Sequence, residues 1–534
     1  MRASAPARRR RDRSLRGYGA AVAVVIAIDA GTTSVRSLAI DENCQVIATS
    51  QRELPQHFPA PGLVEHDAAE IWTLVEATLV ELRGILAKSS LGVAAVGIAN
   101  QRETAVAWDR STGKPCCRAI VWQDRRTAQR CAELAEAGFL PLVRERTGLV
   151  LDPYFSGTKW SWMLEKGRLA PSGSLALGTV DDWVCWNLTG GVHGGLHVTD
   201  PSNASRTLCY DIGRRRWSAE LCEMLKVPID ALGEVRPSAG RYATVCAEVA
   251  GGLLKGVPVS GIAGDQQAAL FGHCCYLPGE TKVTYGTGSF VLMNLGAQMP
   301  LPTEGLLTTI AWDLGDHAPP GATDGFSYAL EGAIFSSGAT IQWLRDGLAM
   351  IDQAAQLGPL ASQITNNDGV FLVPAFAGLG SPWWDPEARG TICGITKGTG
   401  RAHLARAAVE AIAYQCRDVL EAMGRAAGQS PKILRADGGA AAMDLLLQLQ
   451  ADQCDLQVVR PESTEMTALG AAMLAGLAEG VWSSLGELRS IGAGTKVFEP
   501  GAGRGRADAD HLAWLAALER SRHWEATPRE LAGD

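Results

Sequence analysis

"AVAVVIAIDAGTTSVRSLAI", Ala21–Ile40, decides how this chain is read. An apolar run ends at Asp29, a Gly-Thr-Thr-Ser turn follows at residues 31–34, and a second run alternates in character, which predicts a hairpin. About 255 residues later "GETKVTYGTGSFVLMNLG", Gly279–Gly296, repeats the plan: a strand through Val283 and Tyr285, a Gly-Thr-Gly-Ser turn, and a strand through Phe290, Leu292 and Met293. The spacing is close to half the chain and predicts a duplicated domain. Glycine lets backbone N–H groups approach a ligand closely, and Thr and Ser hydroxyls add donors, a combination suited to phosphate oxygens. A single turn of this kind also serves plain hairpins; two at matched positions point to a shared ligand. Neither is a Walker loop, because a strand and not a helix follows each turn.

A third glycine cluster lies in "ILRADGGAAAMDLLLQLQADQ", where a strand ends at Asp437 to Gly439 and an amphipathic helix follows with Leu445, Leu446 and Leu449 inward. Such a turn accepts a nucleotide at close range or packs a helix tightly on a strand. Further strands are read in "VAAVGIANQ" from Val93 and "AIVWQDRR" from Ala119. A helix is read in "RAHLARAAVEAIAYQCRDVLEAMGRAAG", ending near Gly424 and Gly428. Strands and helices alternate, so the class is α/β.

At 534 residues, 46% hydrophobic and 20% charged, the chain is too long for one core. Net charge is −8, but Met1–Gly19 carries seven Arg against one Asp, leaving −14 on the rest. An acidic body argues against nucleic-acid binding. Residues 1–19 read as a disordered basic extension, and "AAVAVVIAI" as the first strand of the fold, because no small-residue cleavage site follows it. No run reaches the length a membrane helix needs. The thirteen cysteines form no C-x-x-C pair, which predicts reduced thiols and a cytoplasmic location.

"VSGIAGDQQAALFG", Val259–Gly272, sets one carboxylate, Asp265, among small and apolar residues. Asp265 is either a helix-start Asp accepting from free N–H groups or a buried carboxylate kept for donors, a metal or a substrate. Arg102 and Glu103 of "NQRET", read alone, make an exposed ion pair at a strand end. Trp122 and Phe290 read alone as core, and Asp29 as the cap of its own turn.

These pieces, with "GLVEHD", "GLVLDPYFSGTKWSWML", "VTDPSNASRT", "YALEGAIFSSGATIQWLRD" and "VPAFAGLGSPWWDPEARG", resemble the glycerol kinases among the FGGY carbohydrate kinases, from about Val24 to Glu499. The resemblance implies two duplicated ribonuclease-H-like, actin-like ATPase domains around a central cleft, and ATP-dependent phosphorylation of glycerol to sn-glycerol 3-phosphate. It implies Asp265 as general base. Arg102, Glu103, Tyr154 and Gln266 would hold glycerol hydroxyls, with Trp122 and Phe290 as an apolar wall. For ATP it implies Thr32, Thr33, Ser34 and Arg36 in the first hairpin, Thr287 in the second, Gly338 and Gln342, and Gly439 with Met443 at the adenosine loop. Asp29, with Asp265, would stand beside Mg²⁺. A polyol with three hydroxyls buries little apolar area, so its recognition needs charge-assisted hydrogen bonds of about 1.5 to 3 kcal/mol each.

Two departures stand out. Met443 occupies a position where the family usually has Asn, exchanging an amide for a weakly accepting thioether. "CAEVAGGLLKGVPVSG" lacks the Gly-Gly-x-Arg segment that in some relatives forms a sugar-bisphosphate effector site. The expected organisation is an N-terminal FGGY domain over 20–272, a C-terminal one over 273–510, and a C-terminal helix and tail over 511–534. The partners implied are glycerol and ATP/ADP, with a homo-oligomer, dimer or tetramer, as the assembly. Two alternatives stand beside this: a sister FGGY kinase acting on another polyol or sugar, and an actin-like ATP-binding sensor that transfers nothing.

Overall fold

The computed structural model describes residues 23–88, 91–167, 169, 173–318, 324–491 and 495–524. The extension over 1–19 and the tail beyond residue 524 lie outside the described residues.

In the first half, β1 (Ala23–Ala30) pairs antiparallel with β2 (Ser34–Ile40), and β3 (Val46–Glu53) extends the ribbon. Gly31 N–H donates to the Ser34 carbonyl at 3.0 Å, closing the first turn. β4 (Gly92–Asn100) runs parallel to β1, β6 (Pro258–Gly264) parallel to β4, and β5 (Ala239–Thr244) closes the edge. The sheet order is β5-β6-β4-β1-β2-β3. Helix α1 (Ala68–Leu86) starts where the Asp67 side chain accepts from Ala69 N–H, and its Ile71, Val75, Leu79 and Leu82 pack on this sheet.

The second half uses the same plan. β7 (Glu280–Tyr285) and β8 (Ser289–Gly296) form the hairpin, β11 (Ile433–Asp437) lies parallel to β7, and β12 (Val458–Pro461) parallel to β11. β9 (Leu307–Asp313), β10 (Phe326–Ile334) and β13 (Thr495–Phe498) complete the order β9-β10-β8-β7-β11-β12-β13. The halves differ at one edge, where β9 pairs outside β10. Two sheets built on one pattern, each with helices on its faces, make this an α/β protein of two duplicated ribonuclease-H-like lobes.

Five further helices matter to the site: α2 (Asp265–Gly272), α3 (Gly338–Gln342), α4 (Arg401–Ala427), α5 (Asp444–Cys454) and α6 (Met466–Glu479). α4 buries Ile412, Val419 and Met423 and stops at Gly428, whose φ of 64° ends the helix in the left-handed region. α6 belongs to the second half by sequence, yet packs beneath the first sheet and against α2. A Cβ on Gly97 of β4 would sit 2.1 Å from the Ala471 carbonyl oxygen, so this approach requires glycine.

Three expectations need correction. The strand read in "AIVWQDRR" ends at Ile120, because Asp124 accepts from the N–H groups of Val64 and Arg126 and turns the chain. Leu445 packs only on the edge of the core, which Leu446 and Leu449 enter fully, and its half-buried side chain also lines a cleft wall. The C-terminal helix α7 (Arg504–Glu519) starts ahead of residue 511, so the 510/511 boundary cuts through it.

Candidate functional site

The C-terminal ends of β1, β4 and β6 lie side by side, with Ala30 opposite Asn100 and Gly264 opposite Asn100. Parallel strands in register deliver whatever follows them to one place. Here they deliver Asp29 from β1, Arg102 and Glu103 after β4, and Asp265 after β6, where α2 begins. A Cβ on Gly264 would come within 2.7 Å of Arg102 Cγ and Cδ, so the glycine makes room for that side chain. Glu103 holds φ at 60°, a strained region for a residue with a side chain, kept by its surroundings.

Arg102 is 2% exposed and central to the site. Its Nε lies 3.3 Å from Asp265 Oδ1, Nη1 donates to Glu331 Oε2 at 2.5 Å and to Gln267 Oε1 at 3.2 Å, and Nη2 donates to Tyr154 Oη at 3.2 Å. Arg206, fully buried, donates from Nε to Glu103 Oε1 at 2.6 Å and from Nη2 to Glu331 Oε1 at 2.9 Å. Glu331 comes from β10 of the other lobe. Burial alone would raise its carboxyl, but the two guanidinium groups outweigh burial and hold it down at about 2.

Asp265 behaves differently. Burial pushes its carboxyl up, the Asp29 carboxylate adds to this, and Arg102 and Lys282 offset only part. Its Oδ1 accepts from the Gln266 N–H at 2.7 Å, yet 30% of the side chain remains exposed and open to a ligand. Lys282 on β7, pushed down to about 8 by burial, donates to Gln266 Oε1 and to Thr284 Oγ1. Trp122 stands 5.6 Å from Tyr154 and 6.5 Å from Phe290, ring centre to ring centre, so the three aromatic groups form one wall. Phe290 rides on β8, so both lobes contribute to this cluster of side chains.

Trp122 Nε1 also donates to Thr32 Oγ1 at 3.0 Å, joining this wall to the first hairpin turn, which carries Thr33 and Ser34. Arg36, on the same hairpin, is engaged by Asp29 and by Glu465 at 2.5 Å. The remaining nucleotide candidates, Thr287, Gly338, Gln342, Gly439 and Met443, line a cleft of about 720 Å³. Gly338 N–H donates to the Gly286 carbonyl at 2.9 Å, and a Cβ on Gly338 would stand 2.5 Å from that oxygen. This glycine therefore holds α3 against the second hairpin turn. Met443 lies beside Gly358, where its thioether offers the cleft polarizable surface and almost no hydrogen bonding.

Asp29 and Asp265 influence one another electrostatically, and no third carboxylate or histidine joins them in a ligating cluster among the described residues. Mg²⁺ keeps several waters and takes one or two carboxylates plus substrate phosphates, so this donor set fits that ion better than a cage-bound metal.

The polyol candidates Arg102, Glu103, Trp122, Tyr154, Asp265, Gln266 and Phe290 thus cluster around the Arg102 guanidinium. Glu331, Arg206, Lys282 and Gln267 are added by the structure. Glu331 alone stood out as a single charge in the apolar run "YALEGAI" of β10; Arg206, Lys282 and Gln267 lie among other polar residues and carried no such signal.

Residues 24–272 match the model of the N-terminal domain of the FGGY family of carbohydrate kinases, and residues 281–479 match that of its C-terminal domain. The chain is 52% identical over 508 residues to a glycerol kinase of Dechloromonas aromatica, covering 94% of this chain and 98% of that one. It is 47% identical to a glycerol kinase of Saccharolobus islandicus, covering 94% and 97%. Among solved structures, Plasmodium falciparum glycerol kinase with ADP superposes with a TM-score of 0.88 at 32% identity, covering 94% of this chain and 98% of that one. A xylulose kinase from Lactobacillus acidophilus shares the fold, with a TM-score of 0.84 at 19% identity over 96% of this chain and 100% of that one. On two matched domains and identity of this extent, the chain belongs to the FGGY family of carbohydrate kinases.

Proposed function

We propose that this enzyme transfers the γ-phosphoryl group of ATP to a terminal hydroxyl of glycerol, giving ADP and sn-glycerol 3-phosphate. The observation that carries the proposal is Asp265: a carboxylate raised by burial, open on one side, and 3.3 Å from the Arg102 guanidinium that would orient a hydroxyl against it. The attacking hydroxyl gives its proton to Asp265, its oxygen forms the new P–O bond, and the bond from the γ-phosphorus to the β,γ-bridging oxygen breaks to release ADP. Arg102 supplies hydrogen-bond donors to the polyol, Glu103 supplies acceptors, and Trp122 and Phe290 cover the carbon chain. Positioning and electrostatics dominate this class of reaction, so a rigid frame is the main requirement. The Arg102–Glu331–Arg206–Glu103 chain of ion pairs is that frame.

ATP would lie across the 720 Å³ cleft, its phosphates toward the two hairpin turns. Asp29 and Asp265 would hold Mg²⁺ through water; the ion, when bound, neutralises phosphate charge. The assembly is a homo-oligomer in this reading. All thirteen cysteines are free, which supports a reducing, cytoplasmic compartment. No helix among the described residues is long and apolar enough to cross a membrane. A coupled assay with Mg-ATP and glycerol, run beside pentuloses, hexonates and erythritol, tests the reading. Glycerol-dependent ADP release with sn-glycerol 3-phosphate as product is expected. ADP release independent of glycerol, or faster with another acceptor, overturns it.

A further inference from the structure

Helix α2 carries Asp265 at its start and ends, about 12 Å on, at a second cavity of about 290 Å³. Its wall joins both halves of the chain: the turn at Cys44, then His273 just after α2, and from the second half Arg435 of β11, Glu462, Ser463 and Arg489. No residue of this wall is shared with the nucleotide cleft. Arg489 is already partnered, donating to Glu280 Oε2 at 2.7 Å and to the Cys274 carbonyl at 3.1 Å. Arg435 is not. Among the described residues no carboxylate pairs with it, and its buried Nε finds no acceptor.

The Nε–H of Arg435 is buried without an acceptor, which costs free energy, and the cavity at its side is where an acceptor would sit. The planar fork of arginine matches the oxygens of phosphate with two parallel hydrogen bonds. Ser463 adds a hydroxyl, while Arg489, its charge matched by Glu280, completes the wall. Glu462, the one carboxylate on the wall, is exposed, so solvent screens its charge. The geometry points to a site for a small phosphate-type oxyanion at this junction, held by Arg435 and separate from both substrate pockets. The anion is inorganic phosphate or the phosphate group of a small monoester; the chemistry of the site is the same for both.

Titration calorimetry on the full chain tests this, with the substrate pockets filled by glycerol and a non-hydrolysable ATP analogue. Inorganic phosphate and sn-glycerol 3-phosphate are titrated separately. One-to-one binding to the parent protein is expected, weakened about ten-fold or more in R435Q, the loss of one charge-assisted contact. Tighter binding of phosphate identifies the free ion as ligand, and tighter binding of the ester identifies the monoester. Turnover of R435Q in buffer without added phosphate or monoester stays at the parent rate. Should R435Q fail to fold, R435K keeps the charge without the fork and is expected to weaken binding about three-fold or more. Uptake of neither anion by the parent protein overturns the assignment, as does unchanged affinity in the folded variant.

Discussion

Arg102 of the first lobe and Glu331 of the second form a two-point ion pair, Nη1 to Oε2 at 2.5 Å and Nη2 to Oε1 at 3.2 Å, with Glu331 fully buried. The residue that would hold substrate in one lobe is therefore aimed by the other. Removing the anion leaves Arg102 and Arg206 uncompensated in a dry site, and breaking a buried pair from one side costs about 3–5 kcal/mol. Glu331→Gln is expected to lower stability by an amount toward the bottom of that range, because the amide still accepts, and to raise the glycerol KM. Urea unfolding and steady-state kinetics check both. The carboxyl at about 2 lies below the usual 4.5 of glutamate, so its contribution is present above that ordinary value and is lost as pH falls toward 2. The variant should lose less stability than the parent over that window.

Asp265→Asn is expected to lose about 10²- to 10⁴-fold in kcat, the range a positioned base contributes. The fold should survive, since the carboxylate's hydrogen bond is to the N–H of the next residue in its own helix, and Arg102, which loses the 3.3 Å ion pair, keeps its two-point pairing with Glu331. In the parent, kcat/KM should fall as pH drops through the raised carboxyl value, because only the ionised form takes the proton. The acid limb should disappear in the residual activity of the variant. An unchanged pH profile would remove Asp265 from this role.

The hairpins and the duplication were legible in local pattern, apolar runs around Gly-Thr turns, whereas the meeting of Asp29, Arg102 and Asp265 followed from the family resemblance alone, since read singly they are a turn cap, half of an exposed ion pair and a helix-start carboxylate. Glu331 and Arg206 were not assigned, although both stand in quoted stretches, because their partners are 229 and 103 residues away and no local spacing encodes such a pairing. The strand expected through Trp122 failed for a related reason. Its sequence has strand character, and a single carboxylate, Asp124, captures the Val64 N–H 60 residues distant and turns the chain. The packing of α6 under the first sheet was equally silent, since Gly97 reads as an ordinary strand glycine until Ala471 is placed against it.

Met443→Asn restores an amide in the nucleotide cleft. A net hydrogen bond is worth about 0.5–1.5 kcal/mol, so the ratio of kcat/KM for ATP over GTP is expected to rise by roughly 2- to 12-fold. The parent, with a thioether beside Gly358, should show the weaker preference. Competition between the two nucleotides in a single assay measures the ratio directly. A ratio that falls or holds steady would mean Met443 does not face the base.

Gly264→Ala separates positioning from charge, because it alters no ionisable group. The added Cβ would come within 2.7 Å of Arg102 Cγ and Cδ, and Arg102 has little freedom to yield while Glu331, Gln267 and Tyr154 hold its guanidinium. Overpacking of this kind costs about 1–3 kcal/mol of stability. A shift near 1 Å in a positioning group costs up to about 10²-fold in rate, so kcat/KM for glycerol should fall far more than ATP affinity. Glu331→Ala in the same background should recover part of the lost rate per folded molecule, since it frees Arg102 to move away from the methyl group. If the double variant is simply the product of the two single losses, the steric contact between residues 264 and 102 is not what limits catalysis.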